Sequence, residues 1–133
     1  MVNEVRGERE VTLGSRSYVV ALTLGAQAAL ESAFGVENFE EAFSKIGRLE
    51  PVEGESDKAR FFPNAANLLK LWTAILEANG CDASALASES VNPYDAATQA
   101  YELLRTTRET WFGADTPAGA TSPLAAAPAG ATG

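Results

Sequence analysis

Few residues in this chain have the types and spacing that chemistry needs. Glu40-Glu41 and Glu53/Glu55/Asp57 bring carboxylates together, and neighbouring carboxylates can divide acid and base work. Cys81 follows Gly80 and precedes Asp82, a setting that would favour a thiolate if a helix began there. The terminal Gly-Ala-Thr-Gly has glycines at the spacing of a short phosphate loop. Each has a plainer account. The carboxylates fall on a helix surface and in a charged loop, where solvation explains them. Cys81 has no basic or imidazole partner in sight, as expected of a half-buried, inert thiol. The terminal glycines lack the flanking strand and helix that a phosphate loop requires. The chain has no histidine, so the commonest general base and transition-metal ligand are missing. The expectation is a non-enzymatic protein with no cofactor and no metal site.

Charge narrows the partners. Ten basic against 18 acidic residues give a formal net charge of −8. Binding a phosphate backbone needs clustered Lys and Arg, so no nucleic-acid partner is expected, and anionic membrane surfaces are disfavoured for the same reason. The acidity serves solubility. The single cysteine cannot form an internal disulfide, which points to a reducing compartment. The chain shows no signal-peptide pattern and no apolar run near the ~18 residues that span a bilayer. A soluble, cytoplasmic protein is expected, with no membrane partner.

The stretch from Thr23 to Leu49 organises the rest. Ala26, Ala29, Leu30, Ala33 and Phe34 lie on one helical face, and Gly35 is placed to stop that helix in a left-handed conformation. Asn38 and Glu41 have capping-box spacing for a second helix, with Phe39, Ala42, Phe43, Ile46 and Leu49 on its apolar side. So short a link predicts a helical hairpin over 24–34 and 38–48. Before it, Glu8–Leu13 and Arg16–Leu22 flank Gly14-Ser15, a hairpin signal. Val11, Leu13, Tyr18, Val20 and Leu22 would face the helices, while Val19 breaks the alternation. Residues 1–7 are expected to fray.

Further on, Glu50–Arg60 combines dense charge with Pro51 and Gly54 and reads as an exposed loop. Phe61 and Phe62 would staple its end to the core. A third helix spans 64–79, with Ala65, Leu68, Leu69, Trp72, Ile75 and Leu76 on its inner side and Gly80 at its close. A short helical turn is expected over 82–89. Asn92-Pro93 starts the last helix, 93–112, a capping side chain followed by proline at the first helical position. Its seam is Tyr94, Ala97, Tyr101, Leu104, Arg108 and Trp111. Residues 114–133 are dominated by Ala, Gly, Pro, Thr and Ser, too poor in apolar bulk to offset the entropy of ordering; a disordered tail is expected. The fold class is therefore α+β, mainly α: an N-terminal β-hairpin packed on about four helices in a single domain over residues 8–113.

Without catalytic groups, binding remains. Trp72, Tyr94, Tyr101, Trp111 and Phe112 exceed what so small a core needs, and aromatics of this kind anchor interfaces.

The order of elements resembles a family. A hairpin leads into L-T-L-G-A-x-A-x-L-E-x-A-F-G; a short helix ending G-R-L, a Leu-rich helix ending A-N-G, and a helix closing with an aromatic and Gly follow. Leu22, Leu24, Gly25, Leu30, Glu31, Phe34, Gly35, Gly47, Arg48 and Leu49 carry the likeness. Over Arg9–Gly113 the chain resembles the tail assembly chaperones of gene transfer agents and related siphophage-like prophages, some relatives of which are labelled tail tube proteins. The acidic Glu50–Arg60 stretch and the tail depart from that pattern. The resemblance implies a non-catalytic protein that coats the aggregation-prone tape measure protein and helps recruit tail tube subunits, with homo-oligomers a further option. A structural tail component, tube or connector, is the alternative, although one hairpin against four helices suits a tube wall poorly. The residues are consistent with a partner-binding groove between the 64–79 and 93–112 helices, formed by Leu68, Leu71, Trp72, Tyr101, Leu104, Trp111 and Phe112.

Deleting Thr116–Gly133 should leave the melting temperature almost unchanged, which a thermal unfolding scan of the truncated and full chains checks.

Overall fold

The computed structural model describes residues 7–113. The frayed start over 1–6 and the disordered tail over 114–133 expected from composition lie outside the described residues. Gly7, grouped with that start, is buried against the last helix. The elements are β1 (Arg9–Leu13), β2 (Arg16–Val20), α1 (Leu24–Phe34), α2 (Glu40–Phe43), β3 (Gly47–Val52), β4 (Glu55–Pro63), α3 (Ala65–Ala78), a 3-10 turn (Leu86–Ser88) and α4 (Pro93–Phe112). The fold is α+β, with two separate antiparallel hairpins.

The first hairpin forms as the turn chemistry predicts. Gly14 takes φ 70° at the first turn position, where a Cβ would be strained. Val11, Leu13 and Val20 are fully buried beneath it, and Leu22 nearly so. Val19 faces outward and is 39% exposed. Two strands alone cannot persist in water, and three polar side chains tie this pair to the helices. Thr12 exchanges backbone hydrogen bonds with the Gln99 carboxamide of α4. Ala21 does the same with the Asn79 carboxamide at the end of α3, at 3.0 Å each way. Glu89 accepts from the Ser15 amide and hydroxyl, both at 3.1 Å.

Helix α1 covers the expected residues. The Thr23 hydroxyl caps it by accepting from the Ala26 amide, and Gly35 closes it in the left-handed region. Asn64 and Asn92 cap α3 and α4 through their side-chain oxygens. The core gathers α1, α2, α3 and α4 around Trp72, whose indole N–H donates to the Ala96 carbonyl at 3.1 Å. Ala96, Ala97 and Ala100 line the α4 surface there, and their small size lets the helices close on the indole.

Two expectations over 38–60 are corrected. The second helix is a single turn, Glu40–Phe43, and the Asn38 side chain caps only the Glu40 amide. The capping box does not form. Ile46 is buried, but Leu49 is 70% exposed and belongs to a strand. The charged stretch read as a loop is the second hairpin, with Leu49 opposite Phe61 and Glu50 opposite Arg60. Loop signals misled here for a physical reason. Both strands of a two-stranded sheet are edges, where proline and charge are tolerated, so Pro51 sits in β3 opposite Ala59. Gly54 turns the chain with φ 83°. Between Asn79 and α4, the expected short turn over 82–89 reduces to the 3-10 turn at Leu86–Ser88.

Gly47 leaves room for the Phe61 ring at the base of this hairpin. A Cβ there would lie 2.1 Å from the Phe61 ring, which is wedged between Gly47 and Tyr101. Gly47→Val should push Phe61 out and cost about 1–3 kcal/mol, read as a lower urea midpoint with an unchanged slope.

Candidate partner-binding surface

The helix α4 has two characters. Its inner stripe, Ala96, Ala97, Ala100, Leu103, Leu104 and Thr107, is buried. Its outer side keeps aromatic groups in water: Tyr94 is 52% exposed, Tyr101 38%, Trp111 44% and Phe112 39%. Such surface is costly to leave bare unless something covers it.

The aromatics towards the C-terminal end of α4 are held in place. The Trp111 ring meets Phe39 edge-on at 6.0 Å, and Phe39 in turn meets Phe43 at 6.4 Å. Trp111 and Phe112 contact each other at 6.0 Å. One turn of helix, α2, therefore seats Trp111 by supplying two buried phenylalanines at i, i+4. Tyr101 donates its hydroxyl to the Phe43 carbonyl at 3.1 Å and packs edge-on against Phe61 of β4 at 6.2 Å. Burial pushes its phenol above the ordinary tyrosine value. Aromatic edges fixed in this way lose little entropy on binding, which suits them as anchors. Charges beside them are matched: Arg108 reaches across to Glu40, and Arg105 joins Glu102 and Glu109 along the helix.

The sequence-derived groove divides. Tyr101, Trp111 and Phe112 are on the surface as described. Leu68, Leu71, Trp72 and Leu104 are core residues, between 0 and 7% exposed. Around Leu71 and Leu104 the seam between α3 and α4 is filled by their own side chains, so there it is packing and not an open slot. The sequence could not separate the two groups, because an apolar stripe reads alike whether it meets its own chain or another. Phe39 and Phe61 were assigned to a helix face and a core staple; their part in seating Trp111 and Tyr101 comes from long-range packing.

Among the described residues, the chemical candidates do not gather. Glu40 pairs with Arg108, and Glu41 is exposed on α2. Glu53 stands in the β3–β4 turn. Cys81 is half-buried, with its sulfur 4.0 Å from the Asn79 carbonyl. Among the described residues, no group of three or more Cys, Asp or Glu could hold a metal ion, and no helix is long and apolar enough to cross a membrane. A cavity of about 200 Å³ lies between the first hairpin, α3 and the start of α4, lined by Leu13, Leu68, Trp72, Leu86, Val91 and Glu89. It is apolar apart from Glu89, whose carboxylate is engaged by Ser15 and by Arg16 at 3.4 Å.

That engagement sets a pH dependence. The hydrogen bonds from Ser15, then the Arg16 charge, hold the Glu89 carboxyl below the ordinary glutamate value. A depressed folded pKa adds stability that is present above the unfolded value and lost as pH falls through the folded one. Lowering the pH below the ordinary glutamate value should therefore loosen the hairpin tip. Glu89→Gln should lose stability at neutral pH and flatten this acid limb, as followed by urea unfolding across the pH range.

In comparison with known proteins, no family model, no curated protein and no solved structure matches the chain.

Proposed function

We propose that this chain is a tail assembly chaperone of a phage-like particle or gene transfer agent. It binds the tape measure protein, keeps it soluble and helps recruit tail tube subunits; it does no catalysis. The family resemblance from Leu22 to Leu49 suggests the system. The observation that carries the binding role is the aromatic ledge of Tyr101, Trp111 and Phe112, seated on Phe39, Phe43 and Phe61.

A tape measure protein is long and helical, with apolar faces exposed before the tube closes on it. The ledge would take such a face by the helix-in-groove mode, with aromatic edges filling the gaps between its apolar side chains. The net charge of −8 would keep a coated complex dispersed. Many copies, each weakly bound, would hold one long chain by avidity.

Co-expression with the tape measure protein encoded beside this gene tests the reading. The tape measure protein should move from the pellet to the soluble fraction when this chain is present. The double variant Trp111→Ser/Phe112→Ser should keep its circular dichroism and lose most of that effect, since truncating interface anchors costs about 2 kcal/mol or more each. Equal solubility with and without the chain would refute the proposal. Its presence at fixed stoichiometry in purified particles would favour a structural tail component instead.

A further inference from the structure

The face of the molecule made by α1 and α3 sets small and apolar residues among a few polar and charged ones. The two helices run antiparallel: Ala21 is bonded to Asn79 at one end, and the Lys70 ammonium lies 5.1 Å over the Phe34 ring at the other. Their inner sides bury Ala26, Leu30, Leu71 and Ile75. Outside, they leave an open groove of about 720 Å³ lined by Ala29, Ser32, Thr73 and Ala74 among others. Leu24, next in sequence to the groove residue Gly25, is 80% exposed, and Ala28 and Ala33 are also open to solvent. On α1 the exposed side carries Leu24, Ala28, Ser32 and Ala33, while Gln27 and Glu31 are half-buried.

The charges on this face show what would cover it. Lys70 and Glu77 are the charged residues lining the groove, and among the described residues neither joins an ion pair. They lie about two turns apart on α3, too far to meet each other, with Thr73 and Ala74 midway between them. Opposite charges placed evenly about the centre of a patch make that patch complementary to itself, as an isologous contact requires.

We propose that this face pairs with the same face of a second copy of the chain. The two-fold axis crosses α3 at right angles beside Thr73 and Ala74. The two α3 helices then meet antiparallel, with Lys70 of each copy opposite Glu77 of the other. Small residues let the backbones approach closely, and Leu24 of each copy covers the Ala33 end of the other α1. The face is only about 21 Å long, from the rise of a 14-residue helix. It is smaller than a standard interface, so the dimer is weak and its population depends on concentration. This pairing uses a different surface from the aromatic ledge and does not depend on the tail-assembly reading.

Sedimentation equilibrium of the full purified chain tests it at low salt, from about 1 to about 200 μM. The average mass should rise with concentration towards twice the 14.0 kDa chain mass. Lys70→Glu alone and Glu77→Lys alone place like charges opposite each other twice, and each should weaken the dimer at least about tenfold. The double reversal Lys70→Glu/Glu77→Lys should restore it to within about threefold. Unchanged circular dichroism establishes that the variants fold. A chain that stays monomeric throughout, a dimer indifferent to both single reversals, or a double variant as weak as the singles would each overturn the proposal.

Discussion

Two side-chain carboxamides stand in for missing strands, and the architecture depends on them. The β1–β2 hairpin has two open edges, each a row of backbone groups without a partner. Gln99 closes one at Thr12, and Asn79 closes the other at Ala21. A carboxamide offers one donor and one acceptor in nearly the geometry of a peptide group, so it can end a sheet without adding to it. Because Gln99 belongs to α4 and Asn79 to the end of α3, the same bonds fix the hairpin over both helices. Asn79 also donates to the Ile75 carbonyl at 2.8 Å, and so serves its own helix end while it holds the strand.

Once the hairpin is held, its inward residues become the roof of the core. Val11, Leu13 and Val20 press on helices whose own contacts centre on Trp72. The alanines of α4 give that indole room, and the Ala96 carbonyl satisfies its N–H. This arrangement turns the apolar side of α4 inward and forces its aromatic residues outward. The exposed ledge is therefore a consequence of packing as well as a candidate for recognition. Phe39, Phe43 and Phe61 then decide that the outward rings are fixed in position.

The second hairpin answers the same edge problem in another way. Among the described residues, no carboxamide clamps its outer part. It relies on Pro51, on its charges, and on Arg48 and Arg60 lying 5.7 and 6.0 Å from the Phe62 ring centre. Charge and proline discourage pairing with other strands, which suits a hairpin that projects from the body. Its base joins the core through Phe61, which packs against Gly47.

Much of this was legible in the residues. Local signals placed α1, α3, α4 and the first hairpin, because each is written within a few residues: Gly35, Gly80 after a run of helical spacing, Asn92-Pro93, Gly14-Ser15. The inward residues of that hairpin followed from alternation. The β3–β4 hairpin did not, since its strands lack an apolar face along most of their length, and Pro51 and Gly54 read as breakers. The candidate surface was partly legible. Tyr101, Trp111 and Phe112 are exposed, but Tyr101 and Trp111 pack against Phe61, Phe43 and Phe39 rather than across a groove from α3, and Leu68, Leu71, Trp72 and Leu104 carry the same pattern and lie in the core. Periodicity tells which residues share a side of a helix. Which side another element of the same chain will cover depends on contacts between residues far apart in sequence, and these the tertiary structure alone decided.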